Sequence, residues 1–500
     1  MNTADFLVGA APDAAPFLVD AGAVHDYGDL RSATATLRDR LDELDAPAAS
    51  PIGIVAGNGL FWVAAYLAVL AAGHVAVPIP ATTPPAEAAA RLGWVGARAA
   101  FCDDRSARRM QAHLPLALPV LRECASDGTG VARPAAAVAE DQDAAYVFTS
   151  GTTGRPRAVR LTHANIQANT DAILAYLHLR RDDRMLVVLP FTYVFGASLL
   201  HTHLRAGASL VNHPVVAFPE AVVDRLDRER CTGLAAVPSV LQLLARSSTF
   251  LQRPLPALRH IQLAGGRVAP PVLEQILSAS LRAEVFVMYG QTEATARLSY
   301  LPPAELRARA GSIGRGIPGV ELRVVDEDGV PVAPGAVGEI RARGASISPG
   351  YLGDAEASAR KMPGGELRTG DLATVDDDGY IYVVDRAEDF IKTWGHRVAS
   401  QDVESVAMEL TDLLAAAAVG VPDAVAGERV ELAVVRRPGS ALVSEDVVAH
   451  CRARLAKHMV PEAVHLVDAL PLNANGKVVK SEVRALCLRL AEPSADARAS

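Results

Sequence analysis

The sequence predicts an α/β protein: a large N-terminal domain of mostly parallel sheets flanked by helices, ending in a β-rich subdomain, and then a small α+β C-terminal domain. Three observations carry this. Between residues 50 and 300, short β-branched runs alternate with Ala/Leu-rich helical stretches, the rhythm of parallel strands joined by helices that cover both faces of a sheet. After about residue 310 the pattern changes to alternating apolar runs broken by Asp-Gly, an antiparallel signal. The chain also has 500 residues, 50% of them hydrophobic and 21% charged, enough to bury more than one core.

Taken in order, strands are expected at Ile52–Val55, Val75–Val77, Ala144–Phe148, Met185–Val188, Ser209–Val211, His260–Leu263 and Glu284–Met288. The longest apolar stretch, Leu60 to Ala81, is interrupted by Gly73, His74, Pro78 and Pro80. It reads as a buried helix over Leu60–Ala72 followed by a strand, because a membrane span needs about 20 unbroken apolar residues. Hairpins are expected where Leu322–Val325 meets Glu327-Asp328-Gly329 and where Ala373–Val375 meets Asp378-Gly379. The expected divisions are residues 1–385 with the β-rich part at about 310–385, residues 386–490, and a frayed tail over 491–500. Residues 125–141, rich in Gly, Pro, Ala and acids, read as a loop.

Composition excludes several function classes. The net charge is −8 and no basic stripe is visible, so nucleic-acid binding is not expected. Five cysteines are widely spaced without a C-x-x-C pair, which suggests neither a zinc site nor a disulfide framework but reduced thiols in a cytoplasmic protein. The first twenty residues carry acids and no basic segment, so neither a signal peptide nor a membrane partner is expected. Only five of the 49 basic residues are lysines: Lys361, Lys392, Lys457, Lys477 and Lys480. In so arginine-rich a chain each lysine merits a question.

The sharpest feature is Tyr146 to Arg157, in which a strand runs into Thr149, Ser150, Gly151, Thr152, Thr153 and Gly154. Glycines that turn tightly and expose bare N–H groups, beside hydroxyl donors, form a polyphosphate cradle. It is not a Walker loop, since no G-x-x-x-x-G-K-[ST] is present. Arg155 and Arg157 add charge beside it. Further along, Tyr289-Gly290-Gln291-Thr292-Glu293 follows an apolar strand, placing Thr292 and Glu293 at a carboxyl end where α/β sheets bind ligands. A lone glutamate there suits a hydrated Mg²⁺ that also takes phosphate oxygens. Asp371, in Arg368-Thr-Gly-Asp371, can accept two hydroxyls at once. The Gly265-Gly266 pair before Arg267 reads by itself as a turn. Two later segments, Asp385-Arg386-Ala-Glu388 with Phe390 to Arg397, and Pro471 to Lys477, complete the set.

These segments, in this order and spacing over about residues 50–485, resemble the signatures of the acyl-adenylate-forming (AMP-binding) superfamily: acyl-CoA synthetases, peptide-synthetase adenylation domains and luciferases. The resemblance implies ATP-dependent activation of a carboxylic acid with Mg²⁺, then transfer to a thiol. Thr149 to Gly154 would hold phosphates. Gly265, Gly266, Arg267, Tyr289, Gly290 and Gln291 would line the adenine side, and Thr292 would touch the α-phosphate. Glu293 would hold the metal, Asp371 the ribose, and Arg386 ribose or phosphate. Lys477 would bridge the substrate carboxylate and the α-phosphate. Glu388 would lie near a hinge, and Lys392, Gly395 and Arg397 would serve the second step after rotation of a mobile C-terminal domain.

The resemblance also bears on the acid. Amino-acid-loading relatives carry an aspartate in an F-D-x-S context, and in Phe191 to Ser198 the matching position is Gly196. An ammonium buried without a counter-charge is costly, so an acid lacking an α-ammonium is expected. Its pocket would draw on Tyr193, Val194, Phe195, Gly196, Ala197, Val237 and Gly265 and be mainly apolar. Aryl, short-chain and medium-chain acids all fit this reading. The acceptor is expected to be CoA, with a carrier protein's phosphopantetheine or a non-thiol nucleophile as alternatives. A catalytically silent nucleotide-binding protein is the reading from another class, opposed by the presence of Thr292, Glu293, Asp371 and Lys477. Departures from the family pattern are Arg157-Ala158 after the phosphate loop, Tyr193 in the pocket motif, and Ser400 and Asp402 after the hinge loop.

Overall fold

A computed structural model describes residues 1–9, 11–114, 118–122, 133–149, 157–268, 270–279, 281–386, 389–423, 425–473 and 477–491. The expected tail and most of the expected 125–141 loop lie outside them. Residues 133–139 have no regular structure.

Four sheets organise the chain. The first runs in the order Val120–Arg122, Ala99–Cys102, Pro51–Ala56, Val75–Pro80, Asp143–Thr149, Arg157–Thr162. All its pairings are parallel except the last, where Asp143–Thr149 and Arg157–Thr162 lie antiparallel. The segment read as a phosphate cradle therefore joins two neighbouring strands, with Thr149 and Arg157 in register at its base. The second sheet holds nine strands in the order Arg315–Gly316, Ser299–Leu301, Glu284–Tyr289, His260–Leu263, Gly233–Ala236, Arg184–Val187, Ser209–Asn212, Pro16–Asp20, Ala23–Asp26. Its six central strands, Glu284–Tyr289 to Pro16–Asp20, are parallel, as the alternating pattern requires. The N-terminal pair Pro16–Asp20 and Ala23–Asp26 extends it, although no strand was expected before residue 50.

Helix Leu60–Ala71 packs in the core of the first unit with Trp62 through Ala71 all buried; apolar residues on every face leave it no side for water. Helices His163–Leu177 and Val194–Ala206 share that core. A second apolar core includes helices Pro219–Arg228 and Pro238–Ser247 and continues without a break into Val403, Ala407, Leu413 and Leu432 of the C-terminal part. Among the described residues no helix is long and apolar enough to cross a membrane.

The third sheet is antiparallel, in the order Val320–Val325, Gly338–Gly344, Leu367–Val375, Ile381–Arg386. Its last hairpin turns at Asp376–Gly379 as expected. The first Asp-Gly turn does not lead directly into the partner strand. Val325 makes only an isolated bridge to Pro331, and the strand that pairs with Val320–Val325 begins at Gly338, because Pro331 and Pro334 cannot donate to a ladder. The fourth sheet joins His396–Val398, Ile391–Thr393, Gly427–Arg436 and Leu413–Asp423, with Ala463–Leu466 parallel to Gly427–Arg436. Helices Ser400–Ala407, Ser444–Arg452 and Lys480–Ala491 accompany it, making this an α/β molecule with a β-rich subdomain and a C-terminal α+β unit.

Candidate active site

Four neighbouring parallel strands of the second sheet, Arg184–Val187, Gly233–Ala236, His260–Leu263 and Glu284–Tyr289, point their carboxyl ends the same way. The residues immediately beyond them are Pro190 to Tyr193, Val237, Gly265 and Gly290 to Glu293. The topology alone thus gathers the pocket and nucleotide candidates at the crevice where α/β sheets bind ligands.

Gly265 has φ +95°, and a Cβ there would stand 3.1 Å from Lys477 Cε, 3.2 Å from Val237 Cγ1 and 3.6 Å from the Tyr193 hydroxyl. Lys477 thus arrives from the C-terminal unit, its ammonium 5.4 Å from the Tyr193 ring centre. Asn473 holds it there: its side-chain oxygen accepts from the Lys477 N–H at 3.1 Å, and its own N–H donates to the Lys477 carbonyl at 2.9 Å. The chain at Ala296 passes so close to Gly290 that a Cβ there would meet the Ala296 carbonyl oxygen at 1.8 Å.

One strand further along, the Tyr289 hydroxyl donates to Asp371 at 2.5 Å, and Arg386 pairs with the other Asp371 oxygen at 3.3 Å. Asp371 and Arg386 are register partners in the third sheet. Burial, followed by the Asp371 charge, pushes the Tyr289 phenol well above its ordinary range, so it acts as a donor. Gln291 Nε2 and Thr192 Oγ1 are buried without a hydrogen-bond partner, unsatisfied polar atoms of the kind a polar ligand would engage.

Glu293 is buried, and Tyr351 donates to its Oε1 at 2.8 Å. The Arg157 guanidinium lies 5.4 Å from the Tyr351 ring centre, linking the base of the phosphate loop to Glu293. Lys361 donates to the Thr369 carbonyl at 2.8 Å. Its ammonium is pulled below the ordinary lysine range by burial, against the opposing pull of Glu293 and Asp371. Neither Tyr351 nor Lys361 was singled out for a role; for Lys361 the rarity of lysine was the only signal.

The other candidates are placed as follows. Val194 and Ala197 line a cavity with Tyr193. Phe195 lies against the Arg297 guanidinium. Gly196 faces backbone, since a Cβ there would stand 2.1 Å from the Pro190 carbonyl oxygen. Arg267 reaches across to Asp402 of the C-terminal unit at 3.6 Å. Ser400, the other departure, is buried and gives its N–H and hydroxyl to Asp385 at 2.7 and 2.8 Å. Lys392 and Arg397 are exposed register partners in a hairpin that turns through Trp394 (φ +51°) and Gly395 (φ +76°). Ser150, Gly151, Thr152, Thr153, Gly154 and Glu388 lie outside the described residues.

Known proteins resemble this chain in sequence and in fold. The chain matches the family profile of the AMP-binding enzyme over residues 8–352 and that of the AMP-binding enzyme C-terminal domain over residues 402–477. It is 35% identical to a feruloyl-CoA synthase of Amycolatopsis sp over 342 residues, 68% of each chain. It is 33% identical over 484 residues to a Mycobacterium tuberculosis CoA ligase of a methyl-dioxo-octahydro-indenyl propanoate, covering 92% of this chain and 93% of that one. Among solved structures, the amide bond synthetase McbA from Marinactinospora thermotolerans superposes with TM-score 0.86 at 28% identity, covering 97% of this chain and 99% of that one. An anthranilate CoA ligase in complex with anthranoyl-AMP superposes at 0.89 with 22% identity over 99% and 98% of the two chains, a likeness of fold.

Proposed function

Since the chain belongs to the AMP-binding enzyme family of the acyl-adenylate-forming superfamily, we propose that it activates a carboxylic acid lacking an α-ammonium as its acyl-adenylate and passes the acyl group to the thiol of CoA. The observation that carries this reading is Lys477, delivered from the C-terminal unit to Gly265 and Tyr193 at the crevice of the large sheet.

In the first step a carboxylate oxygen of the acid attacks the α-phosphorus of ATP and pyrophosphate leaves. Lys477 is placed to attract both anions as negative charge builds between them. Asp371, held by Tyr289 and Arg386, accepts the ribose hydroxyls, and Thr292 meets the α-phosphate beside the adenine-side residues Gly265 to Arg267 and Tyr289 to Gln291. Residues 149–154 take the phosphates. Glu293 offers an oxygen ligand with the hardness and charge that suit Mg²⁺, which when bound neutralises phosphate charge.

In the second step the thiol attacks the acyl carbon and AMP leaves. The hairpin of Lys392, Gly395 and Arg397 faces solvent in the present arrangement. Rotation of residues 386–490 about the segment containing Glu388, against residues 1–385, would bring it to the acyl carbon and withdraw Lys477. CoA as acceptor is supported by the named CoA ligases among the relatives.

Pyrophosphate release from ATP and Mg²⁺ across aryl, short-chain and medium-chain acids, with and without CoA, tests the reading. Release that needs a particular acid and becomes multiple-turnover with CoA supports it. Release that stalls near one equivalent with CoA assigns the acyl group to a carrier protein or an amine instead. Lys477→Ala is expected to lower pyrophosphate release by orders of magnitude while pre-formed acyl-adenylate is still consumed. Undiminished release would overturn the role given to Lys477.

A further inference from the structure

The C-terminal unit holds a further group of side chains, none of them assigned above to adenylation. Among the described residues, Glu431, His465 and Cys487 are the one trio of metal-ligating groups whose carboxylate oxygen, imidazole nitrogen and thiol sulfur all lie within 4.8 Å of one another. Glu431 is in strand Gly427–Arg436, His465 in the neighbouring parallel strand Ala463–Leu466, and Cys487 in helix Lys480–Ala491. Glu431 and Cys487 are fully buried, Cys487 is a free thiol, and the His465 side chain is 13% exposed. The ligands are spread over three elements, so the search for close cysteine pairs gave no sign of them.

Burying a carboxylate is costly unless partners meet it, and Glu431 is met on both oxygens. Arg429 Nε donates to Oε1 at 2.5 Å, and His465 Nε2 lies 2.8 Å from Oε2. The arginine alone would balance the charge. It does not account for an imidazole and a buried thiol brought to the same point. Its place is that of an outer partner in a metal site, holding one carboxylate oxygen and leaving the other free to ligate. Carboxylate, imidazole and thiolate are all zinc ligands, and a thiolate selects against Mg²⁺ and Ca²⁺. Two anionic ligands would also neutralise the divalent charge. Ligand atoms of a tetrahedral zinc site stand about 3.5 Å apart, so closing the trio needs shifts of about 1 Å. The exposed edge of His465 gives the ion a way in and leaves a fourth position for water.

We propose that Glu431, His465 and Cys487 bind a structural Zn²⁺ that ties helix Lys480–Ala491 to the C-terminal sheet. On binding, the Cys487 thiol gives its proton to solvent and the imidazole presents a lone pair at Nε2, its proton on Nδ1. Lys477 lies between His465 and Cys487 in the chain, so the ion would fix both ends of the segment that carries it.

The test is a titration of the full-length, chelator-treated protein with Co²⁺, whose thiolate complexes absorb in the near ultraviolet. One equivalent is expected to produce this absorption, an equivalent of Zn²⁺ to abolish it, and Cys487→Ser to lack it. Zn²⁺ should also raise the melting temperature of the wild type and not that of Cys487→Ser. No thiolate absorption in the wild type, absorption that survives in Cys487→Ser, or a melting temperature indifferent to Zn²⁺ overturns the proposal. Should Cys487→Ser fail to fold, His465→Gln decides: binding weakened by about tenfold or more supports the site, and unchanged binding overturns it. Neither readout depends on pyrophosphate release, so the site and the activation reading stand or fall separately.

Discussion

Gly196 shows how one residue can carry two meanings. In sequence it is a missing aspartate, and hence a missing partner for an ammonium. In three dimensions it is the point where helix Val194–Ala206 rests on the Pro190 carbonyl, with no room for a Cβ. Gly196→Ala is expected to destabilise the protein by about 1–3 kcal/mol, the usual cost of overpacking against atoms that cannot yield, read as a lower urea midpoint at unchanged slope. Gly196→Asp should not confer amino-acid activation, because the new carboxylate has no path into the cavity; pyrophosphate exchange with α-amino acids above background would refute that. The residue types at the crevice were legible because each carries recognisable chemistry at a recognisable spacing. Tyr351 was not, since a tyrosine behind a carboxylate looks ordinary until burial is known.

Contacts between elements decide how the two units meet. Ser400 opens helix Ser400–Ala407 by donating twice to Asp385, at the end of strand Ile381–Arg386. Lys480 then joins that helix to strand Leu413–Asp423, donating to the Ala418 carbonyl at 2.7 Å and pairing with Glu404. Ser400→Ala leaves the buried Asp385 short of a donor and is expected to cost about 1–3 kcal/mol, seen as a lower melting temperature. The Arg267–Asp402 pair is half exposed and adds little to stability. It spans the units, however, so Asp402→Asn should slow adenylation a few-fold and leave the thioester step unchanged. Single-turnover assays of the two half-reactions check this, and equal slowing of both would refute a docking role. Elements with strong periodicity, such as the parallel strands and helix Leu60–Ala71, were legible in advance. The partner of Val320–Val325 was not, because a turn motif says that the chain reverses, and only the ladder says with what.

At the scale of the whole molecule, buried histidines tie stability to pH. His201, His203 and His163 are buried, and desolvation lowers their pKa values from 6.5 to about 3, about 4 and about 4. The unfolded chain takes up these protons near pH 6.5, whereas the folded protein resists them until about pH 4. The stability they contribute is therefore complete above pH 6.5 and is lost as pH falls toward 4. Unfolding free energies at pH 7.5, 6 and 5 should fall in that order, and His201→Gln should flatten the decline; a pH-independent curve would contradict the placement. The lysines have a practical corollary. Lys361, Lys477 and Lys480 are half-buried and engaged, while Lys392 and Lys457 stand in water. Lysine-directed labelling will therefore fall on the C-terminal unit, so a fluorophore attached through a lysine side chain reports on the unit proposed to turn and not on the larger one.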